Sequence, residues 1–526
     1  MRRSSALVAA LLAAGVVGLF AANVHRYAFL GDDSFISFRY ARHLAEGQGL
    51  VWNRGERVEG YTNFLWVLLM AGGIEAGLEP ELASKALGIA SGLGLLAAMV
   101  LFTARTTSWR NPVVWLAPGV LAVHRSFTAW CTGGLETMFF SLLVFLALLA
   151  FLRERERRAA LPLGSSMLFA LATLTRPEGA LFALVTAVFF LGEIARRRRH
   201  LRAGLIWAAP YVALVGAHLL WRHAYYGYWL PNTFTAKVSG AWWEQGFRYL
   251  SLFASDYQIV WFLPLVAASV LLRRQLAAWL LFAQAAVYGV YVACIGGDRF
   301  EFRFLVPILP HLTWLMADGV YQVARLRIGP GRTRIPGLAL AGVAALGLLL
   351  TTHLAPRRPE ARRLRNRVGA HGVNTLAAIR VYARDRAHEG RALRRLSDEG
   401  VLPPDLVLCV GGAGAVPYYT DWTTVDRRGL NDVTIAHRPL ESRGIIAHER
   451  DAPYAYLLER KVVVFDVLNR LLHPSDREKR RRGTVVHDGH ELPIKAVRVG
   501  GQYLIFASVQ PDAELDRIFA GLEVLH

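Results

Sequence analysis

Two adjacent carboxylates, Asp32 and Asp33, stand in LGDDSFISFRYARHL (residues 30–44), directly after the first apolar segment of the chain. A carboxylate held against a hydroxyl takes its proton as a general base, so a pair at the mouth of a membrane helix is a candidate centre for activating an alcohol. Five further polar clusters carry groups of the same kind. They are GERVEGYTNF (55–64), with Glu59, Tyr61 and Asn63, and WCTGGLETMFF (130–140), with Glu136. LTRPEGA (174–180) adds Arg176 and Glu178, YYGYWLPNTFTAK (225–237) adds Asn232 and Lys237, and GGDRFEFRFLVP (296–307) adds Asp298 and Arg303. Arg176, Lys237 and Arg303 are cations suited to a donor phosphate. Lys237 stands out because only Lys85, Lys461, Lys479 and Lys495 accompany it among 60 basic residues. Arg39, Glu59, Tyr61, Asn63, Glu136, Glu178, Asn232 and Asp298 are candidate substrate contacts. A divalent ion on Asp32, Asp33 or Asp298 stays open, because oxygen ligands alone do not specify one.

Each group taken singly has a structural explanation. Asp33 fits the N-cap of a helix starting at Ser34, whose Ile36, Tyr40 and Leu44 form one apolar stripe. That leaves Asp32 unexplained and makes it the stronger candidate base. Arg39 and His43, at i and i+4, either lie on a surface or face an anion. Arg176 before Pro177 marks a helix end, and Glu136 favours a helix N-terminus. Asn232 suits a turn, and Tyr225, Tyr226, Tyr228 and Trp229 suit an aromatic belt at the membrane interface. What marks a site is the place where these groups collect.

The elements that must position them are membrane helices. Of the 526 residues, 54% are hydrophobic and 19% charged, and the mean hydropathy is +0.31, which fits an integral membrane protein. The net charge of +20 is carried by arginine without aromatic interleaving, which speaks against nucleic-acid binding. Cys131, Cys294 and Cys409 are too few and scattered for a disulfide framework or a zinc site. The start, MRRSSALVAALLAAGVVGLFAANV, reads as an uncleaved first helix with its basic end inside. Placing RERERR (153–158), RRRRHLR (196–202), LLRRQ (271–275) and RLRIGPGRTR (325–334) inside as well makes the later spans alternate. Those spans are 85–104, 112–128, 137–152, 161–175, 179–193, 203–221, 257–272, 275–295, 304–324 and 335–353. NFLWVLLMAGGIEAGL (63–78) breaks the parity and is expected to re-enter or lie buried. This gives about 11 spans plus one partial segment in a membrane domain, 1–353.

Residues 354–526 hold no spanning run and read as a soluble α/β domain outside the cytoplasm. It opens with the arginine-rich PRRPEARRLRNRV (356–368), and DLVLCV (405–410) and KVVVFDV (461–467) are predicted buried strands. GGAGAVP after the first strand resembles a phosphate loop only weakly, since a glycine of the fingerprint is missing and Pro417 falls where the helix should begin. A tight turn is the better reading. In this topology all six polar clusters fall on the outer face, as the lining of one site would.

GDDSFISFRYARHLAEGQGLVWNRGERVEGYTNFLW resembles the first outer loop of GT-C-fold, polyprenyl-phosphate-sugar-dependent glycosyltransferases, most closely the mycobacterial terminal β-(1→2)-arabinofuranosyltransferase family. The likeness continues through WCTGGLET, TRPEG, YYGYWLPNTFTAK and GGDRFEFRFLVPILP to GAGAVPYYTDWTTVDRRGLND (412–432). It implies Asp32 as base with Asp33 as partner, a sugar on a polyprenyl phosphate as donor, and a cell-envelope glycan as acceptor. Attack opposite the departing phosphate would invert the anomeric centre, and the topology places the reaction at the outer face of a bacterial cytoplasmic (inner) membrane. The alternatives are a transporter or flippase of lipid-linked sugars and a non-catalytic glycan-binding envelope protein.

Overall fold

A computed structural model describes residues 2–237, 240–273, 275–326, 335–354, 373–440, 448–475, 477 and 483–525. The arginine-rich stretch 356–368 and residues 327–334 of the last basic cluster lie outside the described residues.

The membrane half is helical throughout. It opens with α1 (Arg2–Tyr27), α2 (Ser34–Ala45), α3 (Phe64–Glu75) and α4 (Pro80–Thr106). Short α5 (Leu116–Val123) and α6 (Arg125–Trp130) precede α7 (Thr137–Glu156), α8 (Leu163–Thr175), α9 (Gly179–Ala195) and α10 (Leu201–Tyr226). Then follow α11 (Asn232–Lys237), α12 (Trp243–Tyr257), α13 (Leu263–Arg273), α14 (Leu276–Cys294), α15 (Leu309–Ala324) and α16 (Ile335–Leu354). Among the described residues, six helices are long and apolar enough to cross a membrane, or seven if the bent pair Trp243–Tyr257 and Ile259–Arg273 counts as one span. The other expected spans fall on shorter or broken helices. The predicted span 112–128 is interrupted at His124, between α5 and α6.

Two local departures bear on the site. The span expected at 257–272 is preceded by amphipathic α12, and the chain turns by 73° between the two, with Gln258 at φ 53°. α3 has 12 residues, about 18 Å at the helical rise, well short of a bilayer core. It buries Trp66, Val67, Met70 and Ala71. Its place as a packed partial segment follows from that length.

The second half is built on one sheet. The strands are β1 (Leu408–Val410), β2 (Thr424–Asp426), β3 (Val464–Asp466), β4 (Leu472–His473), β5 (Thr484–His487), β6 (His490–Val499), β7 (Gln502–Ala507) and β8 (Val524–Leu525). They run in the order β2-β1-β3-β7-β6-β5, with β4 on β7 and β8 on β6. β1 pairs in parallel with β2 and β3, whose residues are all buried, as expected of a sheet covered on both faces. β6 and β7 form a hairpin whose two-residue turn is Gly500–Gly501, both at positive φ. A long amphipathic helix, α17 (Leu376–Asp398), precedes β1, and the short α18 (Ala415–Thr420) follows it. Pro417 sits inside the first turn of α18, where its missing N–H costs nothing, so it does not delay the helix.

The halves meet along a polar seam. Arg39 of α2 is 1% exposed and donates to the carbonyls of Trp52 (2.8 Å), Pro417 (2.7 Å) and Trp422 (3.0 Å). Its guanidinium also lies over the Trp52 ring. Arg42, His43 and Arg54 converge on Asp421 at the end of α18, at 3.0, 3.1 and 2.7 Å. Gly60 is required by close approach, since a Cβ there would fall 1.8 Å from Oδ1 of Asn431.

Candidate active site

Asp32 lies in the tight turn between α1 and α2, which is closed by Ser34 N–H donating to Gly31 O (3.1 Å) and Phe35 N–H to Asp32 O (3.0 Å). The side chain is 8% exposed, and its Oδ1 accepts the backbone N–H of Ala415 at 2.9 Å. Burial disfavours the charged form and raises its pKa to about 6, with the Ala415 hydrogen bond and Arg386 opposing the rise. A carboxylate with that pKa has the basicity suited to removing a proton near neutral pH.

Asp33 occupies the N-cap position of α2 but makes no cap hydrogen bond there, having helical φ and ψ of −58° and −22°. The capping explanation drawn from the sequence is therefore corrected. The helical backbone turns the carboxylate away from the helix amides, and it faces Arg299 at 3.5 Å instead. Burial works against its ionisation, but Arg299, Lys237 and Arg303 outweigh it and lower the pKa. Asp298 pairs with Arg303 Nε at 2.8 Å. Three cations thus face Asp33 and Asp298, and Asp32 adds a third carboxylate beside Arg299 when it is ionised. Lys237, at the end of α11, is exposed, while Arg303 is 8% exposed.

Arg176, Glu136, Glu178 and Asn63 form a second group. Arg176 is buried and binds both Glu136 and Glu178, the latter at 2.9 and 3.2 Å. Asn63 donates to Glu136 (2.7 Å) and to Ser37 of α2 (3.0 Å). With two carboxylates on it, Arg176 has no surplus charge for a phosphate. Phe304 joins the two groups, with Arg176 5.1 Å and Arg303 5.2 Å from its ring centroid.

The remaining candidates belong to the seam. Arg39 is corrected from substrate contact to structural clamp, because backbone carbonyls occupy its donors. Glu59 pairs with Arg222 of α10 at 2.8 Å, and burial, opposed by Arg222, raises its pKa to about 7. The Tyr61 hydroxyl lies 3.1 Å from that of Tyr226, which in turn donates to Leu50 O. Asn232 donates to Gly429 O (2.9 Å) and Leu430 O (3.0 Å), and Arg450 donates to Ala236 O (2.7 Å). These bonds fix both ends of α11 and so the base of Lys237. Of the belt aromatics, Tyr228 and Trp229 are exposed and Tyr226 is buried.

Three neighbours of the acid pair were not among the sequence candidates. Arg299 had a signal, since it lies between Asp298 and Arg303 in GGDRFEFR. Ala415 and Tyr382 come from the second half. Tyr382 of α17 is 38% exposed, and its hydroxyl sits where a Cβ on Gly412 would fall. No pattern near residue 32 points to either. The residues proposed for a divalent ion do not gather as ligands. Asp33 faces cations and Asp298 is paired, and among the described residues no group of three His, Cys, Asp or Glu side chains is placed to hold an ion.

Residues 378–505 match a family described as a domain of unknown function (DUF8728). The chain is 29% identical over 326 residues to a terminal β-(1→2)-arabinofuranosyltransferase of Mycobacterium tuberculosis, covering 57% of this chain and 51% of that protein. It is 30% identical over 358 residues to the protein of the same name from Corynebacterium glutamicum, covering 60% and 51%. The chain spans about half the length of the curated relatives it matches. In fold it is similar to the crystal structure of ArnT from Cupriavidus metallidurans in the apo state, with TM-score 0.50, 16% identity, and 81% and 86% of the two chains covered. The chain therefore combines a GT-C-like membrane half and a C-terminal sheet domain with a sequence that resembles the terminal β-(1→2)-arabinofuranosyltransferases.

Proposed function

We propose that this chain is a membrane glycosyltransferase. It takes a sugar, arabinofuranose by likeness to the curated relatives, from a polyprenyl-phosphate carrier and joins it to a hydroxyl of a cell-envelope glycan. The reaction runs at the outer face of the bacterial cytoplasmic membrane, with the domain beyond residue 354 on the same side. The observation that carries this reading is the division of labour within one acid pair. Asp32 is buried with a raised pKa, while its neighbour Asp33 is kept ionised by Arg299, Lys237 and Arg303.

In the proposed step the acceptor oxygen attacks the anomeric carbon as Asp32 takes the hydroxyl proton. The bond from that carbon to the phosphate oxygen breaks, and its electron pair leaves with the polyprenyl phosphate. Lys237 and Arg303, with Arg299, balance the phosphate charge, and the two guanidinium groups do so without giving up a proton. Asp33 anchors Arg299, and its negative charge opposes the positive charge that develops on the sugar. Attack opposite the departing phosphate inverts the anomeric centre.

The test uses purified full-length chain in detergent or nanodiscs, a polyprenyl-phosphate arabinofuranose and an arabinan oligosaccharide. The expected product is one pentose heavier by mass. Its anomeric configuration, read by NMR, checks the single displacement, and retention would overturn that step. Wild-type rates in both Asp32→Asn and Asp33→Asn would overturn the acid-pair reading, and a mass gain only from other sugars would replace arabinofuranose.

A further inference from the structure

The stretch Gly411–Ala415 looks like a phosphate loop because it joins a buried strand to a helix start. In the fold its concave side is already filled, and the occupant is the side chain of Asp32. The Ala415 N–H reaches Oδ1 at 2.9 Å. A Cβ on Gly414 would lie 2.2 Å from the Asp32 carbonyl oxygen and 2.3 Å from Oδ2. A Cβ on Gly412 would lie 3.6 Å from Oδ2 and 2.1 Å from the Tyr382 hydroxyl. Both contacts with Gly414 are far inside van der Waals distance, so only glycine lets the loop backbone come this near the carboxylate. α18 cannot drift away, because Arg39 holds Pro417 O and Trp422 O, and Asp421 is held by Arg42, His43 and Arg54.

We propose that the Gly412–Ala415 turn is a positioning element of the catalytic centre, through which the C-terminal domain orients Asp32 and sets its basicity. The inference rests on Asp32 being the base. With Oδ1 fixed by Ala415, Oδ2 is the oxygen left for the acceptor proton, since it accepts no hydrogen bond among the described residues. The C-terminal domain is then part of the chemistry and not only a glycan-facing appendage. A hydrogen bond to the ionised form also holds the Asp32 pKa below what its burial alone would give.

The test compares Ala415→Pro, Gly414→Ala and Asp32→Asn in the full-length protein, with thermal unfolding in detergent to confirm folding. Proline is accepted at a first helical position, where it removes the N–H and sets its ring carbon against Oδ1, so the variant both breaks the bond and displaces the carboxylate. Ala415→Pro should move the acid limb of the kcat–pH profile up by about one unit, the size of one charge-assisted hydrogen bond. Gly414→Ala should lower kcat at least tenfold while the donor KM stays within twofold. A pH limb and kcat equal to wild type in the folded variants would overturn the proposal, and Gly414→Ala decides it alone should Ala415→Pro not fold. If Asp32→Asn keeps turnover, the base assignment fails. If it abolishes turnover while the turn variants behave as wild type, only the positioning role fails.

Discussion

Asp32 and Asp33 are consecutive in the chain, yet one carboxylate is bound by the Ala415 amide at 2.9 Å and the other faces Arg299 at 3.5 Å. The tight turn that starts α2 aims them into different surroundings, one dry and one cationic. Burial therefore raises the first pKa to about 6, and cations lower the second. For sugar transfer, kcat/KM should fall below an acid limb near pH 6 that Asp32→Asn removes together with most of the activity, about a hundredfold or more. Asp33→Asn should leave that limb nearly in place and raise the donor KM. A limb below pH 5 would reverse the two roles.

The same shift has a consequence for stability. Between the ordinary carboxylate pKa of 3.8 and about 6, the folded protein holds a proton on Asp32 that the unfolded chain does not. Unfolding then releases a proton, so the Asp32 contribution to stability falls as pH rises through this window and levels off above it. Asp32→Asn keeps an acceptor for Ala415 and removes the ionisation cost. The variant should be more stable than wild type at pH 7 by about 1–3 kcal/mol, and the difference should vanish near pH 4. Thermal unfolding of the detergent-solubilised pair at both pH values measures it.

The cations proposed for the donor phosphate should separate by experiment. Arg176 is buried with Glu136 and Glu178, so Arg176→Ala strands two carboxylates and should destabilise the protein by about 3–5 kcal/mol. Lys237 is exposed, and it shares Asp33 and Asp298 with Arg299 and Arg303 where Arg176 has two carboxylates to itself. Lys237→Ala should leave the melting temperature nearly unchanged while raising the donor KM ten- to a hundredfold, the loss of one charge-assisted contact. If Arg176→Ala melts normally but loses donor affinity, Arg176 returns as a phosphate ligand.

How much of this was legible beforehand follows from the range of each interaction. Hydropathy is local, so helices such as 137–156 and 335–354 and the buried strands around 408–410 and 464–466 lie where composition put them. α12 escapes a hydropathy reading because Glu244, Arg248 and Ser251, on its exposed face, break up the apolar run along the sequence, as on any amphipathic helix. The clusters at 30–44, 225–237 and 296–307 pointed to Asp33, Lys237 and Arg303, which the fold brings together. Which cation is neutralised was not legible, because Arg176 takes one of its two carboxylates from position 136. Nor was the role of GGAGAVP, since Ala415 meets Asp32 across 383 positions.

The fate of Arg39 tests whether the two halves act as one unit. Its donors reach three carbonyls, Trp52 on one side and, on the other, Pro417 of α18 and Trp422 just after it. Arg39→Ala removes these charge-assisted bonds at once, which costs about 3 kcal/mol, although Pro417 O keeps the Asp421 N–H and Trp422 O the Thr424 hydroxyl. Lysine should rescue little, because a single ammonium cannot reproduce the planar fork or its stacking on Trp52. Since α18 carries the Ala415 amide to Asp32, the loss should reach the chemistry as well. Limited proteolysis should cut the seam faster in Arg39→Ala, and kcat should fall together with the protection. Faster cleavage at unchanged kcat would mean that the C-terminal domain can loosen without disturbing Asp32.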